Sequence, residues 1–172
     1  MRIECAMEEQ YCDMLYMNGR LFHIWQLPLE VYLNDNGVNF AQYSTPHCER
    51  GYVAVWELID GRLYLVAIFP AVRLRGLLPP LDEGMKFMKR LFPRSMMVPA
   101  MWYIGNLTIH NGNWCRAVGY GRMENRDLQL HLEHGVIISG GARMSVYSDD
   151  DYRYYLSFVD VRKRSKFTPR FL

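Results

Sequence analysis

The chain has 172 residues, half of them hydrophobic and 22% charged, with a formal net charge of +2. That composition excludes a disordered polyelectrolyte and leaves a single globular domain with a sizeable core as the expectation. The charge is unevenly spread: residues 1–86 carry 7 basic and 11 acidic side chains, and residues 87–172 carry 13 basic and 7 acidic. Five of those later cations, Arg162, Lys163, Arg164, Lys166 and Arg170, crowd the end of the chain. The body is therefore mildly acidic with a basic tail, which argues against a nucleic-acid platform.

The first segment, "MRIECAMEEQYCDM", has acids where a secretory leader needs an apolar run. No apolar stretch approaches the ~18 residues of a membrane helix. The expectation is a cytoplasmic protein whose cysteines, Cys5, Cys12, Cys48 and Cys115, are reduced. Export would instead permit two bridges. Cys5 and Cys12 read as small buried hydrophobes rather than a local clip.

Hairpin signals follow. Asn-Gly and Asp-Gly between apolar runs suit type I′ turns, which need positive φ at both central residues. Such turns are expected at Asn18-Gly19 in "CDMLYMNGRLFHIW" and at Asp60-Gly61 in "VAVWELIDGRLYLVAI". A longer loop is expected around Asn111-Gly112-Asn113, and a fourth turn at His134-Gly135. In the last hairpin Leu128, Leu130 and Leu132 alternate with polar residues, the pattern of a strand with one buried face. Between them, "PPLDEGMKFMKRLFP" has helical periodicity through Leu81, Met85, Met88 and Phe92. Asp82 is the expected N-cap, Lys89 and Arg90 suit the last turn, and Pro93 stops the helix. The fold class is α+β: mainly antiparallel hairpins, as a meander or partly closed barrel, with one short amphipathic helix packed on the sheet. Residues 1–161 form one domain and residues 162–172 a basic tail.

Chemistry-bearing residues are few. His47 and Cys48 are adjacent, but Cys–His pairs meet in space rather than in sequence. His131 and His134 fall on a strand end and its turn, where positions three apart face opposite ways, so no metal site is expected. No cofactor signature is present. A two-residue turn at Asp60-Gly61 pairs Ile59 with Arg62, Leu58 with Leu63, Glu57 with Tyr64 and Trp56 with Leu65. Glu57 then stands alone on a mostly apolar face beside Tyr64, either as a surface carboxylate bonded to that tyrosine or as a perturbed acid in a cleft. Glu57, Tyr64, His47 and Cys48 make up the candidate ligand or acid site. The candidate partner-binding run is Asp149, Asp150, Asp151, Tyr152, Arg153, Tyr154 and Tyr155, which joins an acidic cluster to hot-spot residue types.

The order "STPHCERGYVAVWELIDGRLYLVAI", "LFP", "VPAMWYIGNLTI" and "DLQLHLEHGVI" resembles that of small uncharacterised bacterial proteins, some of them immunity proteins beside polymorphic toxins. The resemblance runs from about Ser44 to Ile138 and rests on turn glycines, aromatics and strand hydrophobes. It implies a non-enzymatic protein that binds and neutralises a toxin. A small enzyme or small-molecule binder with a cleft near Glu57, His47 and Cys48 is the alternative. A protein partner is expected, nucleic acid and membrane are not, and oligomeric state is left open.

Overall fold

The computed structural model of the chain describes residues 4–5, 8–109, 126–144 and 156–157. Strands β1 (Glu4–Cys5) and β2 (Glu8–Tyr11) form a small ladder of their own. The main sheet contains β3 (Asp13–Met17), β4 (Arg20–Ile24), β5 (Tyr52–Ile59), β6 (Arg62–Pro70), β7 (Val98–Pro99), β8 (Gly105–Ile109), β9 (Arg126–Glu133), β10 (Val136–Met144) and β11 (Leu156–Ser157). Their order is β11-β10-β9-β8-β4-β3-β5-β6-β7, and β10 also pairs with β6. The strands from β10 through to β6 therefore close into a barrel, which corrects the meander alternative. The β-rich α+β class stands.

Three of the expected turns are present. Asn18-Gly19, Asp60-Gly61 and His134-Gly135 each carry positive φ at both residues (51° and 73°, 49° and 72°, 49° and 73°). These values match the type I′ turn, whose twist suits the flanking strands. Each turn sets its register: Met17 opposite Arg20, Ile59 opposite Arg62, and Glu133 opposite Val136. The loop at Asn111-Gly112-Asn113 lies outside the described residues.

Two features carry no local signal. β3 pairs with β5 in parallel, Leu15 opposite Trp56. The connection passes through a helix that the periodicity did not reveal, α1 (Pro28–Asp35), which has Pro28 in its first turn, where the missing N–H costs nothing. Closure is the second. Val136 faces Arg62, Leu63 N donates to Gly135 O (2.8 Å), and Ile137 N donates to Gly61 O (2.8 Å). Gly135 is required there: a Cβ would sit 2.6 Å from Ala100 O.

The barrel interior is filled with side chains. Leu15, Trp56, Leu58, Leu63, Leu65, Leu107, Leu128, Leu130 and Leu132 are fully buried in one cluster. A second cluster lies on the outer face of β3, β5 and β6, where Met14, Val53, Val55, Val66, Ala67 and Phe69 pack beneath Leu81 and Met85. A bulge between Val55 and Trp56 leaves Val66 unpaired on β6, so Val66 and Ala67 both join the outer cluster.

The helix that covers this face is α2 (Leu81–Met88). Gly84 is its contact point, because a Cβ there would meet the Phe69 ring at 2.6 Å and Ala67 Cβ at 2.8 Å. Capping differs from expectation. Pro80 occupies the N-cap with no side-chain bond, and Asp82 sits in the first turn, where it pairs with Lys86 at 3.4 Å. The helix ends at Met88, and tighter turns carry the chain through Lys89 and Arg90.

Candidate functional site

Glu57 sits on β5 with its neighbours set by register. Tyr16 lies beside it on β3 and Tyr64 on β6. Leu21 on β4 faces Tyr16, and Pro99 on β7 faces Tyr64. The outcome is a lateral row across five strands: Leu21, Tyr16, Glu57, Tyr64, Pro99. The neighbouring row, Phe22, Leu15, Trp56, Leu65 and Val98, points the opposite way, into the core. Pleating alone puts the carboxylate row on the outside of the barrel.

The outside position does not expose Glu57, which is 5% accessible. Tyr16 and Tyr64 are half-buried and flank it, and Val55 and Val66 lie on the same face. No described side chain donates a hydrogen bond to its carboxylate, so the expected bond from Tyr64 is not made. Desolvation raises its pKa from 4.5 to about 7, because an apolar surrounding disfavours the charged form. Burial, with Glu57 beside it, raises the Tyr16 phenol as well. Near neutral pH the site is a carboxyl poised between its two states.

His47 and Cys48 are not part of this site. Cys48 packs against Tyr52, with Sγ donating to Tyr52 O at 3.1 Å. Tyr52 lies five positions from Glu57 along β5, about 16 Å at ~3.3 Å per residue. Cys48 is a free, buried thiol whose pKa burial pushes up, the reverse of an activated nucleophile. His47 is exposed, and its ring stacks on Tyr11 at 5.9 Å. The four candidates thus divide into Glu57 with Tyr64 at one end of β5 and His47 with Cys48 beyond the other.

The "HCERGY" loop does hold a buried polar network that the sequence reading passed over. Asp13, on the core-facing side of β3 with Leu15 and Met17, is fully buried. Its Oδ1 accepts from Arg50 Nη2 (3.0 Å) and Ala54 N (3.0 Å), and its Oδ2 accepts from Trp56 Nε1 (3.1 Å). Arg50 also donates to Tyr11 O (2.7 Å) and lies over the Tyr52 ring at 5.2 Å. Burial raises the Asp13 carboxyl, while Arg50, Trp56 and Ala54 draw it back down. This network ties the loop to β3 and β5. Its signal was an aspartate in phase with core residues.

The remaining candidates are placed as follows. His131 Nδ1 lies 2.8 Å from Asn106 Oδ1, and His134 Nδ1 lies 3.1 Å from Met101 O, so the two rings serve different partners. Among the described residues, no three His, Cys, Asp or Glu side chains cluster as a metal set. Cys12 is disulfide-bonded, which corrects the expectation of reduced thiols. Asp149 to Tyr155 lie outside the described residues, as do residues 162–172. No helix among the described residues is long and apolar enough to cross a membrane. The chain matches no protein-family model, no curated protein and no solved structure.

Proposed function

We propose that the chain is a non-enzymatic protein-binding protein that neutralises a bacterial toxin by covering it. The observation that carries the reading is the outward row Leu21, Tyr16, Glu57, Tyr64 and Pro99. Two tyrosines offer large, stiff contact surfaces of the kind enriched at binding hot spots. Between them stands a carboxylate with no hydrogen-bond donor among the described residues. A lysine or arginine of a partner, laid over this row, would supply that donor and form a charge-assisted bond sheltered from water. The filled barrel interior leaves binding to the surface. That the partner is a toxin rests on the resemblance between Ser44 and Ile138.

The test is recovery of the tagged full chain from its source cells. A protein bound in one-to-one ratio is expected, and Tyr16→Ala with Tyr64→Ala should weaken that complex at least tenfold. If no protein is recovered, or the double variant holds it equally well, the reading fails. A second reading, a small-molecule site that uses Glu57 as an acid or base, is favoured by its pKa of about 7. It predicts a ligand-induced rise in Tm that Glu57→Gln abolishes.

A further inference from the structure

Away from the tyrosine row, a pocket of about 170 Å³ is lined by Arg73, Glu83, Lys86, Phe87 and Arg90. Four of these come from one stripe of α2 and its continuation, at spacings of three, one and three, which a helix places on one side. Arg73 comes from the short 3-10 turn Ala71–Arg73 that follows β6. The Gly84 contact with Phe69 and Ala67 seats α2 tightly on β6 and so fixes how the two parts of the pocket face each other.

We propose that this pocket binds a phosphoryl group. Its lining holds three cationic residues, Arg73, Lys86 and Arg90, against a single acidic one, Glu83. The Arg90 guanidinium rests on the Phe87 ring, 4.9 Å from its centroid, and is thereby held in place without a counter-ion. Arg73 and Arg90 form no ion pair with a described residue. Lys86 meets Asp82 only in an exposed pair, which is weak and easily given up. Planar guanidiniums match phosphate oxygens two at a time. Size narrows the ligand further. Pockets for drug-sized molecules run to ~300–1,000 Å³, so this one suits a charged group and not a whole nucleotide. The carbonyl end of α2 opposes an anion, and Lys86 and Arg90 would offset it even in a protein that binds nothing. Arg73 is not on α2, and that account does not cover it.

The experiment is titration calorimetry of the full chain at low salt with inorganic phosphate, a phosphoserine peptide and a short DNA duplex. Saturable one-to-one binding of phosphate is expected, weakened at least tenfold by Arg73→Ala and by Arg90→Ala. Glu83→Gln should tighten it, which keeps the test decisive if an arginine variant is unstable. Tighter binding of the peptide than of phosphate would identify a phosphoprotein as the source, and equal binding a free phosphate or small ester. The proposal is overturned if phosphate fails to saturate at millimolar concentration. It is also overturned if Arg94→Ala, outside the pocket, weakens binding as much as Arg73→Ala, or if only the duplex binds.

Discussion

Replacing Glu57 with glutamine tests whether its carboxyl is held in an apolar, donor-free setting. Folding takes this group from an ordinary pKa of 4.5 to about 7. The sign follows from proton binding. Below about pH 4.5 both folded and unfolded chains are protonated there, and folding carries no penalty from this group. Between 4.5 and 7 the unfolded chain releases the proton while the folded chain keeps it, so stability falls as pH rises. Above 7 both have released it and the loss is constant. The full rise corresponds to roughly 3 kcal/mol at ~1.36 kcal/mol per pH unit. Residual solvent access beside half-buried Tyr16 and Tyr64 reduces this to about 1–2 kcal/mol. Glutamine has nearly the same shape and cannot ionise. Glu57→Gln should therefore match the native chain in urea unfolding at pH 4 and exceed it by that margin at pH 8. Equal stability of the two proteins at both pH values, or a variant weaker at pH 8, would show a carboxylate that is solvated or paired, and the reasoning would be wrong.

Two further outcomes follow from the packing. Arg50→Met strands Asp13 in the core without its cation, and should cost about 3–5 kcal/mol at neutral pH. The loss should shrink in acid, where Asp13 can enter the core protonated; thermal unfolding at pH 4 and pH 8 measures both. Gly84→Ala would gain up to ~1 kcal/mol in an exposed helix. Here its Cβ meets the Phe69 ring and Ala67, so a destabilisation of about 1–3 kcal/mol is expected in urea.

What could be read in advance was local. Asn18-Gly19, Asp60-Gly61 and His134-Gly135 declare their turns because only certain residues tolerate the backbone geometry. Once the Asp60-Gly61 turn is placed, the partners of Ile59, Leu58, Glu57 and Trp56 follow by counting. Glu57 and Tyr64 became neighbours on that basis alone. Tyr16 did not, since the parallel pairing of β3 with β5 joins distant stretches that leave no mark on each other's sequence. Helix α1 escaped notice because its buried stripe is only Pro28, Leu29 and Leu33. Glycine is a poor helix former, yet Gly84 is what allows α2 to approach the sheet. Arg50 has no signal of its own in a loop whose conspicuous residues are His47 and Cys48. Asp13 did, since it shares the inward phase of Leu15 and Met17.

The closure between β6 and β10 also bears on the order in which the chain can fold. The three type I′ hairpins join residues that are near neighbours in sequence, and each can form within microseconds without the others. Arg62 and Val136 are brought together across roughly 70 residues, at an entropic cost on the order of 4 kcal/mol by the length term alone. Among the described residues, the Val136–Arg62 pair and the two bonds Leu63 N to Gly135 O and Ile137 N to Gly61 O reward that step directly. The ring is therefore expected to shut last, after the hairpins have supplied the apolar faces that make shutting it worthwhile.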